Sequence, residues 1–245
     1  MMAGSERRSG KRPAPVIAID GPAGAGKSTA ARLLAARLRY RLLDTGALYR
    51  AVALAASERG VDWADAKALG ELAKGLRIEF EPDEKGVSHL LLEGLDRSVD
   101  IRKPEISRGA SDVSRHPSVR AALLGLQREL GARGGVVMEG RDVGTEVFPD
   151  AEVKIFLTAD PRKRAERRHR EQSARGVASD LEQTLRRIRE RDEQDRTREA
   201  APLRPAADAV TVDTGEMGIE QMVDALTQVV RERGFADNGE GGRRR

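Results

Sequence analysis

A parallel β-sheet covered on both faces by helices is predicted by three observations. Five short apolar runs, at about 16–19, 41–43, 136–138, 153–157 and 209–212, alternate with helical patterns, the rhythm of a parallel α/β sheet. A glycine-rich loop follows the first run directly: Gly21, Pro22, Ala23, Gly24, Ala25, Gly26, Lys27 and Ser28. An acidic residue closes four of the five runs, Asp20, Asp44, Glu139 and Asp213. That gathers polar chemistry at the carboxyl ends of the strands, where such sheets bind their ligands.

The elements follow in chain order. The run at 16–19 reads as a short buried strand, and 29–39 reads as a helix with Leu33, Leu34 and Leu38 on one face. The loop between them fits G-x-x-x-x-G-K-[ST]. In that context its glycines let backbone N–H groups turn inward onto phosphate oxygens, and the helix N-terminus adds positive potential. Lys27 is then expected to reach the β- and γ-phosphates from the surface of an empty site, with the Ser28 hydroxyl on Mg²⁺. The sheet is thereby read as the P-loop NTPase type. Residues 76–100 break the pattern as an antiparallel insert: 76–80 alternates, 82–86 is turn chemistry, and 88–93 forms a second strand. Asp160-Pro161 opens a helix as N-cap and first residue. Its polar run passes through Arg175-Gly176 to a second helix with Leu181, Leu185 and Ile188. This arginine-dense stretch reads either as a solvated hairpin laced with i,i+4 ion pairs or as a mobile cover that brings arginines onto phosphates.

The 245 residues carry a formal charge of +4 and no cysteine. Disulfides and thiolate zinc sites are therefore excluded. No apolar run approaches the ~20 residues of a membrane span, and the basic N-terminus lacks the apolar core of a signal peptide. A soluble, cytoplasmic protein without a membrane partner is expected. Residues 1–12 carry a net +3 (Arg7, Arg8, Lys11 and Arg12 against Glu6), and 234–245 a net +1 (Arg243, Arg244 and Arg245 against Asp237 and Glu240). The excess positive charge thus belongs to two tails of disordered character, and the near-neutral remainder argues against a specific nucleic-acid partner.

Phosphoryl transfer depends on positioning and charge neutralisation. A guanine-reading N-K-x-D segment is absent, and a motor or transport ATPase would be larger. A small-molecule kinase needs a second anion site opposite the loop, and arginine forks suit it. Arginine-bearing segments occur after the second and third runs of the sheet and at the end of the hairpin: 44–50, 139–145 and 191–198.

Five segments together resemble the bacterial cytidylate kinases of the P-loop nucleoside-monophosphate kinase family. They are the loop at 21–28, Leu43-Asp44-Thr45-Gly46-Ala47-Leu48-Tyr49-Arg50, Gly140-Arg141-Asp142-Val143-Gly144-Thr145 with its continuation to Pro149, Lys154-Ile155-Phe156-Leu157, and the run from Glu190 to Leu203. Their order and spacing match from about 15 to 233, and the antiparallel insert fits as well. The resemblance implies reversible transfer of the γ-phosphoryl of ATP to CMP or dCMP with Mg²⁺, by a monomer. It implies one kinase domain over 13–233, with a monophosphate-binding insert at about 60–131 and a lid at about 162–180. Residues 21–29, ending at Thr29, would bind ATP. Thr45, Arg50 and Arg141 would hold the acceptor phosphate, and Ser111, Arg120 and Asp142 would face the cytosine. Arg191 and Asp195 would contact the pentose, and Arg198 would lie near the transferring phosphate. Lys27, Arg141, Arg191 and Arg198 form the expected catalytic set. Thr45 stands where a serine occurs in the family and Glu139 where an aspartate does; both keep the functional group.

The residues allow other readings at this point. A carboxylate that accepts from the cytosine amine, with an arginine that donates to the acceptor edge, gives Asp142 and Arg120 a physical case. Asp142 equally suits orienting Arg141 or capping a helix, Ser111 suits a helix cap, and Asp195 at i+4 from Arg191 suits a plain ion pair. Asp44 or Glu139 would hold Mg²⁺ through water. His89, His116 and His169 look incidental, and Trp63 is a packing residue. The alternatives are a kinase of the same fold acting on UMP or another small phosphorylated acceptor, and, from another class, a P-loop nucleic-acid-binding regulatory protein.

Overall fold

The structure is a computed structural model and describes residues 12–82, 88–174 and 176–235. Five strands form one wholly parallel sheet in the order β2-β6-β1-β7-β8: β1 Val16–Asp20, β2 Arg41–Asp44, β6 Val136–Glu139, β7 Val153–Thr158 and β8 Val210–Asp213. The strand pairs Ile19↔Glu139 and Asp44↔Glu139 bring three acidic strand ends to one edge. The pleat sorts the side chains by face. Ile17 and Ile19 pack with α1 (Lys27–Leu38) and α8 (Ile219–Glu232). Val16 and Ala18 pack on the other face with Leu43, Met138 and Phe148. All five residues of β1 are buried, as a strand covered by helices on both faces must be. In α1, Leu34 and Leu38 are buried and Leu33 is half-buried.

A second core lies away from the sheet. It unites α2 (Thr45–Glu58), α3 (Ala66–Gly75), α4 (Pro104–Val113) and α5 (Pro117–Gly131) with Ile78, Leu90 and Leu92 of the insert. Trp63 packs against this core and donates its indole N–H to the Ala53 carbonyl, a packing residue as expected. The insert has the two expected strands, β3 Ile78–Pro82 and β4 Ser88–Leu92, and one unforeseen, β5 Leu95–Asp96. Glu93 and Gly94, with φ of 53° and 78°, make the tight turn that pairs Leu92 with Leu95. Two residues in positive φ suit a two-residue hairpin. The turn expected at 82–86 lies, from Asp83 onward, outside the described residues.

The arginine-rich stretch is a helical hairpin of α6 (Pro161–Ala174) and α7 (Leu181–Thr197). Asp160 accepts from the Arg162 backbone N–H at 2.8 Å and opens α6 as expected. Leu185, Ile188 and Ala165 form a small core between the helices, which the polar composition did not suggest. Of the i,i+4 pairs expected on its surface, Arg162–Glu166 stands at 3.7 Å.

Both tail boundaries shift inward. Arg12, read as part of the basic tail, forms ion pairs with Asp150 at 2.6 Å and Glu152 at 2.9 Å, and lies over the Phe148 ring. Phe235, read as part of the second tail, packs on the sheet core. The rest of both tails, 1–11 and 236–245, and Arg175 lie outside the described residues. No helix among the described residues is long and apolar enough to cross a membrane.

Candidate active site

The loop leaves β1 at Gly21, whose φ is 147°; a Cβ there would stand 2.1 Å from the Leu157 carbonyl. Only glycine permits that approach of loop to β7. The loop runs into α1 at Lys27, so the first N–H groups of that helix face the cradle without intrahelical partners. Lys27 does not lie at the surface, where the sequence places it; it is only 6% exposed. Its Nζ donates to the Pro22 carbonyl at 2.7 Å. Burial first, then the charge of Arg141, lowers its pKa, against the opposing pull of Glu139. Lys27 thus lies back on the loop.

Beside it, the Ser28 hydroxyl donates to Glu139 Oε2 at 2.9 Å. Thr45 at the start of α2 donates to the Glu139 carbonyl at 2.8 Å. Burial raises the Glu139 pKa, and the neighbouring charge of Asp44 raises it further. Asp44 is the N-cap of α2 and also pairs with Arg50 one turn into that helix. Hydroxyl and carboxylate therefore meet at the mouth of the cradle, the hard oxygen set that Mg²⁺ accepts alongside phosphate oxygens and water.

Opposite the loop, the turn after β6 carries Arg141 and Asp142. It is pinned by a residue that site reasoning missed. Asp20, fully buried at the end of β1, accepts from the backbone N–H groups of Val143 at 2.9 Å and Gly144 at 2.7 Å. Burial raises its pKa to about 6, against the effect of those two donors. Its place at a strand end beside the loop was the available signal. Arg141 donates from Nε to Asp195 Oδ2 at 2.9 Å. Asp142 pairs with Arg120 and lies 3.7 Å from Arg198. The carboxylate of Asp142 therefore faces Arg120 and Arg198, and the alternative of orienting Arg141 falls to Asp195 instead. Arg120 also lies over the Tyr49 ring at 5.4 Å.

Arg191, Asp195 and Arg198 come from α7 and its C-cap. Asp195 was read as either a pentose ligand or the i+4 partner of Arg191; its hydrogen bond goes to Arg141, and Arg198 stands 3.8 Å away. Burial pushes the Asp195 pKa up, but the charges of Arg141 and Arg191 outweigh it and hold the carboxyl below its ordinary value. Burial, and next Arg141, lowers the Arg191 pKa to about 10. Among the described residues, three guanidinium nitrogens here are buried without a hydrogen bond: Arg50 Nε, Arg191 Nε and Arg198 Nη2, the last with the Asp142 carboxylate 3.7 Å away. A buried donor on a charged group that makes no hydrogen bond is costly, and an anion would satisfy it. Ser111 is set apart. It sits half-buried on α4, and its carbonyl accepts from the Ser114 hydroxyl at 2.9 Å. No bond among the described residues ties its side chain to this network.

The incidental histidines are engaged elsewhere: His89 with Asp96, His116 with the Trp63 carbonyl, His169 with Ser179. The glycine-rich loop thus shares the carboxyl ends of a parallel sheet with a cluster of buried and half-buried arginines. The comparisons with known proteins agree with that geometry. The chain is 52% identical over 212 residues to a protein described as "Cytidylate kinase" from Pelotomaculum thermopropionicum, covering 86% of this chain and 94% of that one. It is 51% identical over 218 residues to a protein of the same description from Syntrophotalea carbinolica, covering 89% and 92%. A family model described as "Cytidylate kinase" matches residues 17–232, and on this evidence the chain belongs to the cytidylate kinase family.

Proposed function

We propose that the protein transfers the γ-phosphoryl group of ATP to CMP or dCMP, giving ADP and CDP or dCDP, reversibly and with Mg²⁺. The observation that carries this reading is the set of buried guanidinium nitrogens on Arg50, Arg191 and Arg198 that make no hydrogen bond among the described residues. A protein that only bound ATP would have no use for a second buried anion site.

The loop at 21–29 holds the triphosphate on its backbone N–H groups. Lys27 leaves the Pro22 carbonyl and follows the γ-phosphoryl as charge develops on it. Arg50 and Arg141, with Thr45, hold the acceptor phosphate in line, and Arg191 and Arg198 neutralise charge on the transferring group. Asp195 orients Arg141, which its 2.9 Å hydrogen bond supports. Ser28, with Glu139 or Asp44 acting through water, would hold Mg²⁺, and the 2.9 Å hydrogen bond from Ser28 to Glu139 supports that placement. When bound, the cation would neutralise negative charge on the phosphates. Asp142 accepts from the cytosine amine while Arg120 donates to the acceptor edge. Uracil places a carbonyl where cytosine has that amine, so Asp142 disfavours UMP. Ser111 is the remaining candidate contact to the base.

The chain works as a core, a monophosphate-binding insert at about 60–131 and a lid at about 162–180. The separate hydrophobic core of α2–α5 supports the first division. We place its action in the cytoplasm, as a monomer without a specific nucleic-acid partner. An ADP-release assay with ATP against CMP, dCMP, UMP and AMP tests the reading. Turnover is expected with CMP and dCMP and much less with UMP; absence of ADP release with every acceptor overturns it.

A further inference from the structure

A phosphate cradle works only if its N–H groups point inward. Each peptide is planar and trans, so its C=O points the opposite way from the N–H of the next residue. Whatever fixes a loop carbonyl outward therefore aims the following N–H at the phosphate. Two carbonyls of this loop are held by groups from outside it. The Thr214 hydroxyl after β8 donates to Ala25 at 3.0 Å. The other, Ala23, accepts from Arg164 Nη1 at 3.0 Å. That bond directs the N–H of Gly24.

Arg164 lies in the first turn of α6 and is 3% exposed. Its Nε donates to the Ala159 carbonyl at 2.8 Å. Its fork grips Asp192 of α7 at 3.0 and 2.5 Å. The loop passes so close that a Cβ at Gly24 would stand 3.2 Å from Arg164 Cβ. Asp192 is flanked on α7 by Arg191, with Asp195 one turn further on. The same helix therefore holds the outer side of the donor cradle and supplies arginine to the acceptor side.

We propose that Arg164 and Asp192 are a positioning pair. From outside the cradle they aim the Gly24 N–H at the donor phosphates, and they fix its register against Arg191, without touching either substrate. The inference rests on the phosphoryl-transfer reading above.

The test compares wild type with Arg164→Met, Arg164→Lys and the double variant Arg164→Met/Asp192→Leu. Melting temperature, kcat, and the affinities for a non-hydrolysable ATP analogue and for CMP are measured, each ligand alone by calorimetry. Arg164→Met is expected to weaken the analogue by about 10-fold or more, the value of a hydrogen bond to a charged donor, and to lower kcat. CMP affinity is expected to fall less than analogue affinity, because Arg50, Arg120 and Asp142 do not lean on α6, while Arg191 and Asp195 share α7 with Asp192. Arg164→Lys keeps the charge opposite Asp192 but loses the fork, so it should fold normally and still bind the analogue poorly. The double variant replaces a buried ion pair by apolar side chains, which restores stability but leaves the Ala23 carbonyl without its donor. Recovery of analogue affinity together with melting temperature in the double variant overturns the inference, as does wild-type analogue affinity in Arg164→Lys. A wild type that binds neither ligand overturns both this inference and the kinase reading.

Discussion

Lys27 is buried next to Arg141 and Arg191, in a field that disfavours its own charge. Removing it relieves that cost, so Lys27→Ala is expected to lose nearly all turnover while its melting temperature stays level or rises; a fall in melting temperature with kcat preserved would reverse the assignment. Asp142 is the opposite case. It is the buried partner of Arg120, and truncation to alanine strands that guanidinium, at about 3–5 kcal/mol of stability. Asp142→Asn is the cleaner probe, because an amide can donate to the uracil carbonyl. The CMP:UMP ratio of kcat/KM should fall in that variant, and a constant ratio with both rates lowered would move base recognition to Ser111 and Arg120. Asp20 gives a pH signature. Its folded pKa is raised to about 6 from 3.8, so the folded state binds this proton more tightly than the unfolded chain. Its contribution to stability is therefore greatest at low pH and is lost as pH rises through that interval. The stability of wild type minus that of Asp20→Asn should decline by on the order of 3 kcal/mol between about pH 4 and 6, then stay flat. Denaturant unfolding at several pH values reads this directly, and a difference that rises with pH contradicts it.

At the scale of elements, the α6–α7 hairpin divides in two. Arg164 and the small core around Leu185 and Ile188 fasten its base, while the tip from about 168 to 180 has no comparable anchor among the described residues. Hydrogen exchange with and without an ATP analogue should therefore show slowing confined to the tip; equal exchange there in both states removes the lid. The same hairpin shows what a sequence can carry. The strands, the loop and the acidic strand ends were legible because each obeys a local rule: apolar runs, glycine spacing, a carboxylate where a strand stops. Trp63 was legible as packing because a lone large aromatic must bury its area. Arg164 and Asp192 were not, since 28 positions separate them and arginine is common on every turn of both helices. The hydrogen bond from Arg141 to Asp195 was not legible for a related reason: spacing on one helix offers only Arg191, and Arg141 arrives from another strand end. The strand β5 escaped notice because two residues show no period, and only its Glu93-Gly94 turn marks it.

At the scale of the whole molecule, the tails are separable from the body at sharper points than composition suggested. Removing 1–11 and 236–245 should leave melting temperature and kcat/KM unchanged. Extending the first deletion through Arg12 should lower the melting temperature, because that side chain joins Asp150 and Glu152 near the start of β7; equal stability of the two truncations would show the pairing to be idle. A steep salt dependence of RNA binding by the full chain, lost on truncation, would favour the nucleic-acid alternative. The guanidinium nitrogens of Arg50, Arg191 and Arg198 that make no hydrogen bond among the described residues bear on the choice of buffer. A pocket with spare cationic donors does not distinguish a nucleotide's phosphate from a free oxyanion that fits it. Sulfate or inorganic phosphate is therefore expected to compete with the acceptor and to act as a folding ligand at once. It should raise the melting temperature by mass action while inflating the apparent KM for CMP, so that stabilities and kinetic constants compare between laboratories only at a common buffer anion.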